Sequence, residues 1–517
     1  MDYSVGLDED SKSAKVQRAI DDSLEHTITS NGEGVIELEV RPKVHFNLFS
    51  ALGQQYSITA APLAIGVYLS LVTGLGGPPG YFWGFILVGF FQFIVCLAVG
   101  ELASATPHSS GPAYWVIALS DPRYAHTLGF IMGWLTNAGW YFICCASCLY
   151  PAQIIMALVE ATNPGFTATA WQTYLVYIAF ALLYLGLNLP RVFWVVGWLL
   201  KASIVLINVG AVFLLIALPL RAHPKQNARD VFVNFINASG WKSDGWAFFL
   251  ALLPAYACLA AFDNATHLTD ELEQPGKQVP QVMIGSFLLS FFLTIPMILI
   301  YEFCNVDPES MLEPVGGQPI IQLFVSAYRS ETLTIISAII ILIVVSIGGA
   351  ATLIGWSRLY WSFSREGLLP FSRKMSELSS KDSLPINALV WGTFLMIALG
   401  AISIGSSIAM NALLGGANLC IIISVVASFG LVLKKGRRTL NPDRWLNLGR
   451  WGDAVFLIAF LWCIFISTTF CFPLSLPVTA ASMNWTTVVF FGIIALAAIH
   501  WIFVFSESER PLPAHSS

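Results

Sequence analysis

The sequence predicts an all-α membrane protein with 12 transmembrane helices, arranged as two five-helix inverted repeats plus two further helices. Three observations carry that expectation. Only 11% of the 517 residues are charged and 56% are apolar, with a mean hydropathy of +0.71, whereas soluble proteins carry roughly 25% charge. The apolar residues fall in 12 runs, each near the roughly 20 residues that a bilayer-spanning helix needs. The two runs with an interrupted pattern, the first and the sixth, stand five apart. This composition excludes a soluble enzyme, a disordered chain and a nucleic-acid binder.

The spans fall at about 48–73, 82–105, 128–158, 171–189, 192–219, 246–266, 281–303, 332–356, 387–405, 408–433, 454–473 and 485–505. Residues 1–45 and 507–517 read as solvated tails, and 46–506 as one membrane domain. Its repeats cover about 48–219 and 246–433, with the last two helices at 454–505. No cleavable leader is expected, so the first span serves as its own insertion signal. Lysine and arginine concentrate in the segments on the N-terminal side of the spans. Arg221, Lys225, Arg229, Lys242 and Arg329 lie on the other side, and Lys201 alone falls within a span. Cytoplasmic segments are enriched in these residues, so both termini are expected in the cytoplasm, with the plasma membrane as the default location. The nine cysteines form no paired metal spacing with histidines, so they read as packing residues, and no metal or cofactor is expected. Glu302, at the outer end of the seventh span, is expected to be solvated.

The first span reads Gly53-Gln54-Gln55-Tyr56-Ser57-Ile58-Thr59-Ala60-Ala61-Pro62. The sixth carries Pro254, small residues, and then Asp263 and Asn264. Proline removes a backbone donor and breaks the helical ladder, and lipid tolerates irregular backbone only where it is buried in protein or lines a cavity. Interruptions at matching places in two halves point to a transporter's binding site; an ordinary proline kink is the alternative for either span alone. A nucleotide-driven pump is not indicated, because the chain lacks a G-x-x-x-x-G-K-[ST] loop. A membrane enzyme would need a deep catalytic histidine, and His500 has no acidic or asparagine neighbour at helical spacing. A nutrient sensor that no longer transports remains the alternative reading.

Three segments carry a resemblance. They are Gly100-Glu101-Leu102-Ala103-Ser104-Ala105-Thr106-Pro107 with Ser110-Gly111-Pro112-Ala113-Tyr114-Trp115, Phe262-Asp263-Asn264-Ala265-Thr266-His267-Leu268-Thr269-Asp270-Glu271 with Gln274-Pro275-Gly276-Lys277-Gln278-Val279-Pro280, and Ser357-Arg358 with Ser364-Arg365-Glu366-Gly367-Leu368-Leu369-Pro370. In this order they resemble the amino acid–polyamine–organocation (APC) permeases, and His267 is typical of the fungal amino acid/choline branch. The resemblance implies a LeuT-like fold and alternating-access import of a small nitrogenous solute such as an amino acid, 4-aminobutyrate or choline. A proton is the implied co-substrate and the lipid bilayer the surrounding partner.

Carried over by position, the resemblance implies a substrate site between helices 1 and 6, walled by helices 3, 8 and 10. The candidate substrate-binding residues are Tyr56, Thr59, Ala60, Ala61, Asn137, Trp140, Tyr256, Ala257, Cys258 and Thr352. Trp134, Tyr141 and Trp356 are further aromatic candidates. Gly348 and Gly349 would let helix 8 approach the site, and Gly415 and Gly416 would do the same for helix 10; plain helix packing is the alternative. Amino-acid-specific relatives place a Gly-Ser-Gly-type turn where this chain has Ala60-Ala61-Pro62. Pro62 has no N–H for a carboxylate, so the substitution favours an amine or quaternary ammonium held by aromatic faces. Lys201 resembles the helix 5 lysine of proton-coupled relatives; the other reading is snorkelling along Trp194 and Trp198. Glu101, Asp263, Glu271, Arg358 and Arg365 are expected at an inner gate, with surface ion pairing as the alternative.

Overall fold

The computed structural model describes residues 26–30, 36–40, 45–379, 382–480 and 482–505. It contains 12 helices long and apolar enough to cross a membrane: α1 Leu48–Gly74, α2 Gly77–Ala105, α3 Pro122–Thr162, α4 Ala170–Leu187, α5 Phe193–Arg221, α6 Asp244–Glu271, α7 Pro275–Phe303, α8 Glu331–Arg365, α9 Ile386–Gly405, α10 Gly415–Lys435, α11 Gly449–Thr469 and α12 Thr486–Phe503. A helix satisfies its backbone groups internally, which is why these apolar runs fold this way in lipid. The N-terminal tail holds a β-hairpin that the polar composition does not announce, with His26–Ser30 (β1) antiparallel to Ile36–Val40 (β2).

Helices five apart exchange partners, as an inverted repeat requires. α1 packs on α7 as α6 packs on α2, and α3 packs on α10 as α8 packs on α5. α11 adds to α2 and α10, and α12 to α10 and α3. The proximal end is defined here as the one where α1 starts; α2, α6, α8 and α10 finish there.

Both expected interruptions are present. α1 starts under an Asn47 cap that closes a box with Ser50, and its first helical stretch stops at Thr59. Ala60 then takes the left-handed conformation, φ 38° and ψ 34°, at a cost of about 1–2 kcal/mol for a residue with a Cβ. The helix restarts at Ala61 with Pro62 in its first turn, where a missing N–H breaks no hydrogen bond. α6 is helical over Asp244–Leu250 and Leu253–Leu259, then continues as an 11-residue 3-10 stretch, Ala261–Glu271. Such stretches rarely exceed 3–4 residues, and a long one marks a strained or functional segment.

Glycines clamp the first half of α1 between α5 and α8. A Cβ on Gly53 would lie 1.9 Å from Leu200 O, and one on Gly348 would lie 2.3 Å from Ser57 O, so backbone meets backbone at both contacts. Gly349 accommodates the Tyr184 ring of α4. Gly415 and Gly416 face Thr486 and Val489, so they seat α12 against α10 rather than bringing α10 to the break. Glu302 also departs from expectation: it is 4% exposed. The loop after α5 folds over that end of α7, with Gln226 N donating to Phe303 O at 2.9 Å and Gln226 Nε2 to Asn305 O at 2.6 Å.

Candidate functional site

A cavity of about 170 Å³ lies where α1 and α6 are broken, comparable to the roughly 150 Å³ cavity that accepts a benzene-sized ligand. α1 contributes Ser57, Ile58, Thr59 and Ala60, then Ala64, Val67 and Tyr68 from beyond the break. α6 contributes Tyr256, Ala257, Cys258, Ala260 and Ala261. The walls come from α3 (Phe142, Ser147, Tyr150, Pro151), α8 (Gly348, Gly349, Thr352) and α10 (Ala417, Asn418, Ile421). The cavity extends from the break along the distal halves of α1 and α3.

The chemistry of this lining is one-sided. It contains no Asp, Glu, Lys, Arg or His. Four serine and threonine hydroxyls line it, and each donates its proton to its own helix: Ser57 to Gln54 O at 2.9 Å, Thr59 to Tyr56 O at 3.2 Å, Ser147 to Cys144 O at 2.7 Å and Thr352 to Gly348 O at 2.8 Å. These four turn oxygen lone pairs to a ligand, while the hydroxyls of Tyr68, Tyr150 and Tyr256 and the Asn418 amide carry the donors of the lining. The first half of α1 ends at the cavity and its second half starts there, so the break presents a C-terminus with roughly half a negative charge beside an N-terminus of opposite sign, whereas α6 runs on from Leu259 into its 3-10 stretch. Tyr68, Phe142, Tyr150 and Tyr256 add aromatic faces. Acceptors and rings, with no cationic side chain among them, together suit a positively charged nitrogen.

Of the expected substrate residues, Thr59, Ala60, Tyr256, Ala257, Cys258 and Thr352 line the cavity. Tyr56 and Ala61 are fully buried outside its lining. Trp140 lies about half a turn, and Asn137 about one and a half turns, proximal of Phe142. Asn137 Nδ2 donates to Gly133 O at 3.0 Å, and Trp140 Nε1 donates to Asp263 Oδ2 at 3.2 Å. Trp134 packs against Phe130 and His500, and Trp356 against Tyr141 and Tyr360. Tyr68, Phe142, Tyr150 and Asn418 were not among the expected residues. A usable signal existed for two of them: Tyr68 follows Pro62 by six residues, and Tyr150 immediately precedes Pro151, a second proline inside a span.

At the proximal end, Arg358 Nε donates to Glu271 Oε1 at 2.7 Å, and the guanidinium lies 5.5 Å over the Phe193 ring. Glu101 is held by two arginines from the segment between α10 and α11: Arg437 Nη2 at 2.6 Å and Arg444 Nε at 2.8 Å, both to Oε1. Arg365 sits 4.9 Å over the Trp361 ring. Asp263 has Trp140 as its side-chain partner rather than an arginine. Just beyond α8, burial pushes the Glu366 carboxyl up to about 7. The segment between α2 and α3 closes over this region, with Ser109 Oγ donating to Asp270 Oδ2 at 2.6 Å and Ser109 O contacting His267 Nδ1 at 2.8 Å.

Lys201 is exposed on the outer face of α5, its ammonium 5.4 Å from the Trp198 ring. It does not reach α1 or α8. The groups of α5 that meet α1 are its neighbours: the Leu200 backbone lies against Gly53, and Ser203 Oγ stands between Leu200 O at 2.7 Å and Gly53 O at 3.2 Å. The helix 5 coupling role expected for Lys201 has no geometric support, whereas the snorkelling alternative matches its position.

Residues 46–494 match the amino acid permease family. The choline transporter of Saccharomyces cerevisiae is 28% identical over 477 residues, which is 91% of this chain and 83% of that protein. Amino-acid permease BAT1 of Arabidopsis thaliana is 26% identical, over 89% of this chain and 92% of that protein. The swainsonine transporter swnT of Arthroderma benhamiae is 26% identical, over 96% of this chain and 97% of that protein.

Proposed function

The chain belongs to the amino acid permease family, a secondary transporter of small nitrogenous solutes rather than an enzyme, and on that premise we propose that its cargo is a small solute bearing a cationic nitrogen. A choline-like quaternary ammonium fits this reading, as does a primary amine such as 4-aminobutyrate whose carboxylate is held away from the break. One observation carries it: the cavity offers hydroxyl lone pairs and four aromatic faces, and no cationic side chain to pair with a carboxylate. Pro62 removes an N–H from the turn where a carboxylate would otherwise be received. The name of the yeast choline transporter is in keeping with such a cargo.

The solute enters from the distal end, toward which the cavity extends, and leaves at the proximal end after the Arg358–Glu271 pair parts. The proximal end faces the cytoplasm, in accord with the concentration of lysine and arginine there, and the plasma membrane is the site of uptake. A proton supplies the driving force. The test is competition uptake in permease-deficient yeast, with choline, 4-aminobutyrate, polyamines and α-amino acids set against labelled choline. Choline and other cationic nitrogen compounds should compete, and neutral α-amino acids should compete weakly. Equal competition by α-amino acids would contradict the reading.

A further inference from the structure

We propose that Asp263 is the group that binds and releases the coupled proton; this rests on the transport reading above and gives its driving ion a residue. Asp263 is 1% exposed. It sits two residues past Ala261, on the strained 3-10 stretch that leads away from the cavity. Its Oδ2 accepts from Trp140 Nε1 at 3.2 Å, and its Oδ1 has no hydrogen-bond partner among the described residues. A carboxylate removed from water is costly unless a positive group or several donors compensate it. One indole N–H and its own backbone N–H are weak compensation with no cation at hand, and a proton on Oδ1 completes it.

The groups around Asp263 leave this role open to it. Trp140 on α3 is neutral. On α6 itself, Tyr256 lies on the cavity side and His267 on the proximal side. α1 presents the uncharged amides of Gln54 and Gln55. On α8, Arg358 is already committed to Glu271. On α2, Glu101 is held by Arg437 and Arg444. The ionisable side chain of α7 that is buried in the bundle, Glu302, stands at its distal end. Asp263 does not itself line the cavity, so its position suits an ion rather than the solute.

The geometry also supplies a route. Trp140 is shared between Asp263 and His267, whose ring meets it edge to face at 5.8 Å. His267 Nε2 and Glu271 Oε2 are likewise buried without a partner among the described residues. Trp140 thus links Asp263 to His267, and Glu271 stands four residues beyond His267 at the proximal end of the same stretch. The step is a simple protonation: a proton reaching the cavity forms the O–H bond at Oδ1 while α6 faces distally. The same bond breaks, and the proton passes toward His267, once the Glu271–Arg358 pair has opened.

The experiment uses the full-length purified protein in proteoliposomes, with labelled choline and, in parallel, labelled 4-aminobutyrate. Three quantities are read: accumulation driven by an imposed pH gradient, counterflow against unlabelled solute without a gradient, and solute-evoked proton movement. Asp263→Asn should lose gradient-driven accumulation and proton movement while keeping counterflow. Asp263→Glu should restore accumulation with a shifted pH profile. Gradient-driven accumulation by Asp263→Asn equal to wild type would overturn the assignment. Loss of counterflow together with accumulation, in protein that is correctly folded, would overturn it too, because Asp263 would then act on the solute or on the fold. Wild-type vesicles that move neither solute would overturn the cargo reading itself, an outcome distinct from either failure of the variant.

Discussion

Arg358 and Glu271 form a charge pair at 2.7 Å with each side chain only 2% exposed, joining the end of α8 to the end of α6. Removing one partner from a buried pair leaves the other charge stranded and costs about 3–5 kcal/mol. Here that cost falls on the state in which the proximal end is closed. Glu271→Gln should therefore shift the protein toward a proximally open state. Cys258, which lines the cavity, reports this when Cys471, the exposed cysteine, is first changed to serine. Labelling of Cys258 by a charged thiol reagent from the proximal side should be faster in the Glu271→Gln variant. Equal labelling rates would show that the pair does not hold the gate.

Gly348 tests the close approach of α8 to the end of the first half of α1. A methyl group there would meet the Ser57 carbonyl at 2.3 Å, and backbone cannot swing aside as a side chain does. Gly348→Ala should abolish uptake while the protein still reaches the membrane. Gly186→Ala is the control, since its Cβ meets nothing within 4 Å, and uptake by that variant should match wild type.

Lys201→Ala should leave the pH dependence of uptake unchanged, because the ammonium rests on Trp198 at the outer face of α5. Ser203→Ala, by contrast, removes a hydroxyl shared between Leu200 O at 2.7 Å and Gly53 O at 3.2 Å, a loss of about 0.5–1.5 kcal/mol. The two variants are compared by uptake at several external pH values. Loss of pH dependence in Lys201→Ala would return the coupling role to that residue.

Glu101 ties the segment between α10 and α11 to the end of α2 through Arg437, Arg444 and the Leu448 N–H, the last at 3.4 Å. Glu101→Gln leaves two little-exposed guanidinium groups without their anion, at a cost of about 3–5 kcal/mol. The midpoint of thermal unfolding in detergent should fall clearly, and Arg437→Lys should lower it less. An unchanged midpoint would mean that the clamp is not structural.

Glu366 gives a pH signature of opposite sense to an ordinary ion-paired carboxylate. Burial raises its pKa in the folded protein from 4.5 to about 7, so the unfolded chain ionises first. Stability is then lost as pH rises above 4.5, and the loss is complete above about 7. Glu366→Gln should raise the unfolding midpoint at pH 8 and leave it unchanged at pH 4. The same effect at both pH values would show that ionisation is not its cause.

The fold was legible because hydropathy alone delimits membrane spans, and because Pro62 and Pro254 marked breaks at matching places in the two halves. The cavity was legible mainly where the chain itself is irregular, as at Thr59, Ala60 and Tyr256 to Cys258, with Thr352 of the regular α8 reached through the family resemblance. Phe142 faces the cavity by virtue of the rotation and tilt of a regular helix, and among many aromatic residues nothing local distinguishes it, whereas Tyr68 and Tyr150 stand near prolines that could have marked them. Lys201 shows the converse. It shares a helical stripe with Trp194 and Trp198, both 68% exposed, a spacing that identifies the lipid-facing side of α5 without reference to a family. The partners of Glu101 come from more than 330 residues away in the chain, a separation that no local pattern encodes.

The central claim is that this cavity recognises positive charge on nitrogen. The most direct measurement compares choline with its neutral carbon isostere, 3,3-dimethylbutan-1-ol, as competitors of labelled choline uptake by the reconstituted protein. The two have nearly the same shape, so only the charge differs. Choline should compete and the neutral alcohol should not; equal competition would contradict the claim.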